Sequence, residues 1–357
     1  MKIRFSILVP LFNTPESFLR DMISSVLRQQ YKEWELCLAD ASDNDHNEVG
    51  KIVKEYALTD ERIKYEKLSY NGGISENTNA CIDLSTGNYL ALLDHDDVLD
   101  PKALQSAARM ITKTGADFVY TDEAKFNTDP EEWFSPNYKP DFSKYELRAH
   151  NYICHLTIYS RALLDVVGRY RKECDGSQDH DMVLRLTEKA NRIVHIPRVL
   201  YYWRVHENSV SSGVEHKEYA IRAAEKAVLD QVRRSGRDAS IVTHPPFPLI
   251  YDVRYDGIPE RTAIDIIVYQ TANISNLKEC MTSLQANDHD VRMNFYLLSD
   301  SERVGEYSEA DEYLRDGNTC RIVKISGGMA ETINQLTCKT SGEYILFING
   351  NSAPIVK

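Results

Sequence analysis

Thr86-Gly87-Asn88-Tyr89-Leu90-Ala91-Leu92-Leu93-Asp94-His95-Asp96-Asp97 is the stretch on which the reading of this chain turns. The apolar run Tyr89 to Leu93 reads as a strand, and it leads straight into a cluster of carboxylates. Carboxylates crowded at the carboxyl end of a strand repel one another, and the simplest relief is a bound divalent cation; oxygen ligands favour Mg2+ or Mn2+. A metal there is placed to hold a diphosphate. Taken alone, an Asp-x-Asp is more often a solvated turn, here with Asp100 capping a helix that opens at Pro101. The scaffold around it reverses that weighting.

Upstream, Phe5 to Pro10 is a short buried β-rich run that suits a central parallel strand. Thr14-Pro15 then supplies an N-cap and a first-turn proline, and Phe18, Leu19, Met22, Ile23, Val26 and Leu27 recur at helical spacing. A second strand, Trp34 to Ala39, ends at Asp40, where a carboxylate meets a nucleoside base or ribose. A helix around Val49 to Tyr56, a strand over Arg62 to Leu68, a helix near Ile74 to Leu84 and, past the acidic stretch, a strand over Ala116 to Tyr120 continue the alternation. Such βαβα order predicts a mostly parallel, doubly wound sheet with ligands at the carboxyl ends of its strands. After Tyr120 the pattern loosens through Trp133-Phe134-Ser135-Pro136-Asn137-Tyr138-Lys139-Pro140, a segment suited to the substrate side of a site, and order returns around Tyr152 to Tyr159. A helix over 215–236 closes a first domain at 1–245; 246–260, with its cluster of prolines, reads as a linker to a second domain at 261–357.

The chain has 357 residues, 42 Lys+Arg against 54 Asp+Glu and a formal net charge of −12, a length that suits two domains. Without a Lys/Arg cluster, so acidic a chain is a poor partner for nucleic acid or anionic lipid, whose affinity rests mostly on phosphate contacts. No apolar run approaches the roughly 20 residues that cross a bilayer. Met1 to Ser6 leads into a strand rather than a secretory signal, so a cytoplasmic protein without a membrane span is expected. The seven cysteines are scattered and never form a C-x-x-C pair, which argues for small buried apolar side chains rather than disulfides or zinc.

Ser6-Ile7-Leu8-Val9-Pro10-Leu11-Phe12-Asn13, Leu38-Ala39-Asp40-Ala41-Ser42, Asn71-Gly72-Gly73-Ile74-Ser75 with Asn79, and the stretch Thr86 to Asp97 come in one order along the chain. Tyr120-Thr121-Asp122-Glu123, Lys139-Pro140-Asp141, Gly176-Ser177-Gln178-Asp179-His180-Asp181 and Trp203-Arg204-Val205-His206 follow. Together they resemble a family 2 glycosyltransferase of the GT-A fold over about residues 3 to 240, similar to bacterial enzymes that extend surface polysaccharides or glycoprotein glycans. The resemblance implies an α/β, Rossmann-like, mostly parallel sheet with helices on both faces. It also implies a UDP- or dTDP-sugar donor, a glycan or glycoprotein acceptor, Mn2+ or Mg2+, and inversion by single displacement.

Residue by residue, the resemblance implies that Asp40 hydrogen-bonds the uracil or thymine, helped by backbone at Pro10 and near Gly73, with Phe12 also on the donor-nucleotide side. Asp94 would hold the ribose side or a metal water, and Asp96 would ligate the metal at the diphosphate. Arg204 and His206 would lie near that diphosphate, His206 as a further metal ligand, and Asp179 would be the catalytic base. Two positions depart from the family. Ala39 stands where relatives often carry an Asp, and Gln178 replaces the usual Glu, so a neutral neighbour is expected to leave the pKa of Asp179 less raised than a paired carboxylate would.

His150 and His155 read as structural or acceptor-pocket residues, and Trp133, Phe134 and Tyr138 as packing residues sooner than sugar-stacking ones. Beyond the linker the chain repeats itself. Ser6-Ile7-Leu8-Val9 lines up with Asp265-Ile266-Ile267-Val268, and Gly72, Asn79, Gly87 and Tyr89 with Gly327, Asn334, Gly342 and Tyr344 at one constant offset of 255. At that offset Asp94 becomes Asn349 and Asp96 becomes Asn351, which keep the shape and lose the charge that binds a divalent ion. Residues 261–357 are therefore expected to form a partial, degenerate GT-A-like half domain without the acidic metal motif. The roles open to it are packing on the first domain, binding acceptor glycan and forming a homo-oligomer. The alternatives to glycosyl transfer are a non-catalytic sugar-nucleotide or glycan-binding module of the same fold, and a metal-dependent nucleotidyltransferase or phosphohydrolase. No G-x-G-x-x-G follows the first strand, which disfavours a dinucleotide-dependent dehydrogenase.

Overall fold

The computed structural model describes residues 2–206, 218–244, 247–256, 262–269, 273–287, 291–300 and 310–353, in two compact units, Met1–Tyr255 and Asp256–Lys357. In the first, β1 (Phe5–Leu11) is buried along its whole length, and α1 (Glu16–Leu27) turns Leu19, Met22, Ile23 and Val26 inward at helical spacing. β2 (Trp34–Asp40), α2 (Glu48–Ala57), β3 (Ile63–Lys67), α3 (Ile74–Leu84) and β4 (Tyr89–Leu92) complete a parallel half-sheet of order β3-β2-β1-β4. The alternation of a doubly covered sheet is visible within β1: Ile7 and Val9 join the core under α1 and α2, whereas Leu8 joins the core under α3.

The other half is mixed. β5 (Val98–Leu99), α4 (Ala103–Thr114), β6 (Phe118–Phe126), β7 (Phe134–Asn137), α5 (Lys144–Ala149), β8 (Thr157–Ser160), α6 (Arg161–Val167), α7 (Gln178–Lys189) and β9 (Ile193–Arg204) carry the order on through β8-β6-β9-β5. β8 is antiparallel to both β4 and β6. β6 runs past the expected end at Tyr120 because the polar residues that break its apolar pattern find partners when buried. Asp122 accepts from His195 Nε2 (2.8 Å) and the Lys139 amide (2.9 Å), and Glu123 from the His155 amide (3.2 Å) and Asn137 Nδ2 (3.1 Å).

α8 (Glu218–Arg234) packs on α7, and the hairpin of β10 (Ala239–His244) and β11 (Phe247–Tyr255) closes the unit. The linker expected at 246–260 is thus corrected over most of its length: Tyr251 is buried, and Leu249 and Val253 pack on the same core. Pro245, Pro246 and Pro248 hid this strand from a reading by composition. Residues 246 and 257–260 of that segment, residue 245 before it, and 215–217 at the start of the expected helix lie outside the described residues.

The second unit contains β12 (Ala263–Tyr269), α9 (Ile274–Asn287), β13 (Arg292–Ser299), β14 (Thr319–Lys324), α10 (Met329–Thr337) and β15 (Tyr344–Asn349), with a parallel sheet of order β14-β13-β12-β15. It repeats the β3-β2-β1-β4 half in register: Phe5 faces Trp34 and Tyr89, and Ile264 faces Met293 and Tyr344. A buried polar node is repeated with its charge moved one strand over. Glu35 on β2 accepts from Ser6 Oγ (2.7 Å) and the Gly87 amide (3.0 Å), whereas Asp265 on β12 accepts from Asn294 Nδ2 (2.7 Å) and the Gly342 amide (2.6 Å).

Gly87 approaches its node so closely that a Cβ would lie 2.6 Å from Ser6 Oγ and 2.7 Å from the Arg4 carbonyl oxygen. Gly87→Ala is expected to lower the unfolding free energy of the first unit by about 1–3 kcal/mol, read as a lower urea midpoint at unchanged slope.

Candidate active site

The loops leaving β1, β2 and β4 are tied to one another, and this assembles the site at the carboxyl ends of those strands. Asn13 bonds Ser42 (2.9 Å) and Asp43 (2.8 and 3.1 Å) past β2, and Thr14 Oγ1 meets His95 Nδ1 past β4 at 2.7 Å. Pro10 is buried inside β1, and Phe12, just beyond that strand, is 43% exposed. Asp40 ends β2 as expected but is deeply buried. Its carboxylate accepts from the Ser42 amide (2.8 Å), the Tyr65 hydroxyl (2.8 Å) and Lys67 Nζ (3.3 Å), so Lys67 on β3 already balances its charge.

Each carboxylate of the acidic turn has its own environment. Asp97 is fully buried and braces the turn to β9, accepting from the Tyr201 hydroxyl (2.6 Å) and the Arg204 amide (2.7 Å). Burial, with the charges of Asp96 and Asp94 beside it, pushes its pKa well above the ordinary range. Asp94 faces His155, Oδ2 to Nε2 at 3.3 Å. Burial works to raise the Asp94 pKa, but the imidazole outweighs it and holds the carboxyl low. His155 is stacked on the Tyr201 ring at 4.6 Å between centroids. Its burial works to lower its pKa, and Cys154 and Asp94 carry it well up instead. Its Nδ1 makes no hydrogen bond and lies 3.6 Å from Glu123 Oε2.

Asp96 points the other way, to His206, Oδ2 to Nε2 at 2.9 Å. The turn is thus flanked by two donor sets. Among the described residues, Asp94, Asp97 and His155 have ligand atoms all within 4.8 Å of one another, but both Asp97 oxygens are occupied by hydrogen bonds. The outer pair, Asp96 and His206, keeps side-chain exposures of 17% and 25%. Carboxylate oxygens with one imidazole suit Mn2+ or Mg2+, so the residues present fit a divalent ion.

The Arg204 guanidinium is turned into the protein, beside the acidic turn. The side chain is 3% exposed and lies between the rings of Phe18 and Phe126, 4.4 and 4.5 Å away. It donates to the Asp96 carbonyl (2.8 Å) and to Asp21 (2.8 Å). Arg204 therefore positions the backbone that carries Asp96.

Gly73, at a φ of 95°, opens α3 with no side chain to cap it. The cap comes from Asp175, whose Oδ1 accepts from the Ser75 amide at 3.1 Å; a Cβ on Gly73 would lie 2.4 Å from Asp175 Oδ2. Ser75 Oγ also donates to the Arg171 carbonyl (3.0 Å), and the Asn79 amide bonds both the carbonyl and the N–H of Tyr170 (2.9 and 3.0 Å). These contacts lock α3 to the loop that leads into α7, whose second residue is Asp179. Burial, then the charge of Asp94, pushes the Asp179 pKa up to about 7, against the opposing pull of His155 and of Gln178, whose Nε2 donates at 2.9 Å. Gln178 works downward through that hydrogen bond, and burial outweighs it.

The sequence reading gave no role at this site to Asp97, Glu123, Lys139 or Asp175, and read His155 only as a structural or acceptor-pocket residue. Lys139 is buried, donating to the carbonyls of Ile153 (2.6 Å) and His155, 3.4 Å from Glu123 Oε2. Burial lowers its pKa. Glu123, although burial works to raise it, is brought down to about 2 by His155, Lys139 and Asn137. Tyr120 to Glu123 and Lys139 to Asp141 stand out in sequence as ordered motifs, yet no spacing pairs them.

Residues 6–168 match the family model described as Glycosyl transferase family 2. That stretch of the first unit belongs to the family 2 glycosyltransferases. The chain is 35% identical over 284 residues to y4gI, an uncharacterized protein of Sinorhizobium fredii, covering 78% of this chain and 31% of that protein. It is 30% identical over 355 residues to the O-antigen biosynthesis protein RfbC of Myxococcus xanthus, covering 97% of this chain and 27% of that protein. It therefore spans less than a third of the length of these two relatives. Among solved structures, S. aureus TarS 1–349 in complex with UDP-GlcNAc shares the fold, with a TM-score of 0.54 at 20% identity over 64% of this chain and 66% of that one. Among the described residues no helix is long and apolar enough to cross a membrane.

Asp175→Ala, which removes the cap on α3, is expected to cost about 1 kcal/mol of stability in chemical denaturation. Asp175→Asn, which keeps an acceptor oxygen, should recover most of it.

Proposed function

We propose that this chain transfers a sugar from a UDP- or dTDP-linked donor to a hydroxyl of a glycan or glycoprotein acceptor in bacterial surface-polysaccharide assembly, by single displacement with inversion. The observation that carries this reading is a carboxyl with a pKa of about 7, Asp179, within electrostatic reach of Asp94 at the end of β4. A base poised near neutrality beside an acidic motif is what transfer to a hydroxyl requires. Asp179 takes the proton of the acceptor hydroxyl as its oxygen attacks the anomeric carbon, with donor and acceptor held in line. Asp40 with Lys67, and the segments at Pro10, Phe12 and Gly73, hold the nucleoside. Asp96 and His206, with Asp94 on the same turn, would hold Mn2+ or Mg2+. Such an ion, when bound, neutralises charge developing on the leaving diphosphate. The name of the M. xanthus relative supports a surface-polysaccharide acceptor. The second unit, with Asn349 and Asn351 at the positions of Asp94 and Asp96, serves in this reading as a non-catalytic companion.

The test of class is nucleoside diphosphate release from a panel of UDP- and dTDP-sugars. Release should be abolished by EDTA, restored by Mn2+ and lost in Asp96→Ala; release of pyrophosphate or inorganic phosphate instead would favour a nucleotidyltransferase or phosphohydrolase. Asp179→Asn should lower kcat by about 10²–10⁴-fold.

The pH dependence follows from the raised pKa. Only the Asp179 carboxylate accepts a proton, so kcat/KM should climb through about pH 7 and level off above it. Stability runs the opposite way. A carboxyl raised in the folded state binds its proton more tightly folded than unfolded, so its contribution fades as pH rises from the ordinary carboxyl range through about 7. Asp179→Asn should therefore gain thermal stability relative to wild type at pH 8 and not at pH 4.

A further inference from the structure

β7 and the residues beside it are exposed where aromatic side chains are normally buried. All of Phe134–Asn137 is exposed; Trp133 is 40%, Phe134 41% and Tyr138 69% exposed, against 1% for Trp34 in the core. Soluble proteins seldom leave clustered apolar surface open to water without a ligand for it. The topology says where the cluster lies. β8 separates β4 from β6 and pairs with β6 at Phe118 to Tyr120; farther along β6, β7 pairs opposite Glu123 and Lys125. β4 and β6 both run antiparallel to β8 and so point the same way, which puts β7 past the carboxyl end of β4, alongside the acidic turn.

Side chains bear this out. Asn137 Nδ2 bonds Glu123 Oε1 (3.1 Å), Glu123 Oε2 accepts the His155 amide (3.2 Å), and His155 Nε2 faces Asp94 (3.3 Å). At the other end Tyr138 adjoins Lys139, whose buried ammonium is fixed under the carbonyls of Ile153 and His155. The aromatic residues therefore stand on a rigid root beside the reacting centre, with the strands of the nucleotide half, β1 to β3, on the far side of β4 in the sheet.

We propose that Trp133, Phe134 and Tyr138 form the acceptor subsite and that its ligand is a neutral oligosaccharide. The inference rests on the transferase reading and names its acceptor class. Sugar rings carry apolar C–H faces that lie against aromatic faces while their hydroxyl edges remain in water, and such stacking tolerates the wet, half-exposed setting of these rings. The exposed Glu131 and Glu132, in the turn that leads into β7, repel an anionic glycan.

The test uses the full chain with maltotetraose, cellotetraose and chitotetraose as neutral probes and a hyaluronan tetrasaccharide as the acidic control, followed by saturation-transfer NMR. At least one neutral probe should receive saturation, with Kd rising about fivefold in Trp133→Ala or Tyr138→Ala and further in the double variant. The melting temperature should stay at the wild-type value. Silence from all three neutral probes at millimolar concentration, or equal binding by wild type and double variant, would overturn the proposal. Binding lost in the double variant of a chain that releases no nucleoside diphosphate would keep the subsite and sink the transferase reading.

Discussion

Asp97 is a carboxyl with no exposure to water at the end of a buried strand, and the site depends on how it is satisfied. An unpartnered buried carboxyl costs several kcal/mol, so the turn after β4 holds its shape only while β9 lies against it with the Tyr201 hydroxyl and the Arg204 amide in place. That requirement joins the two halves of the first unit, because β4 belongs to the parallel half and β9 to the mixed one. Once β9 is docked, its neighbouring residues are placed with it: Tyr201 under His155, Arg204 on the Asp96 carbonyl, and His206 against Asp96.

The same logic runs outward through partly buried charges. His155 stands between Asp94 and Glu123, Glu123 between His155 and Lys139, and Lys139 under two backbone carbonyls. Each group is tolerable inside the protein because its neighbour carries the opposite charge or offers a hydrogen bond. Asp179 is the exception. Its hydrogen-bond partner, Gln178, is neutral, and the charge that acts on it most strongly, Asp94, has the same sign. Such a carboxyl keeps its proton to near neutrality, which is an obstacle to stability and an asset to a base.

The second unit shows how much of this machinery the half-fold does not need. β12, β13, β14 and β15 reproduce the parallel half-sheet in register, and the polar node survives with its carboxylate moved from β2 to the place of β1. At the carboxyl end of β15, Asn349 closes the strand and Asn351 follows in the turn; the Asn349 side chain accepts from the Asn351 amide and the Asn351 side chain from Asn276. A neutral turn makes no demand for a cation, and here the scaffold persists without the electrostatic problem that organises the first unit.

The alternation of buried strands and amphipathic helices, the carboxyl-end placement of Asp40, Asp94 and Asp96, and the internal repeat were all legible in the sequence, since each is a matter of local periodicity or spacing. Residues with long-range partners were not. β6 continued beyond its apolar pattern because His195, Lys139 and Asn137 come to its polar residues from elsewhere, and β11 formed where prolines suggested a linker. Nothing local in the chain placed Arg204 between two phenylalanine rings and beside Asp21. Chain order by itself determined which elements form and which acids stand at strand ends, because periodicity and turn chemistry act over a few residues. Only the tertiary structure decided that His155 meets Asp94, that Asp175 caps α3 and that Asp179 titrates near neutrality, because burial and charge pairing depend on groups brought together from far apart in the chain.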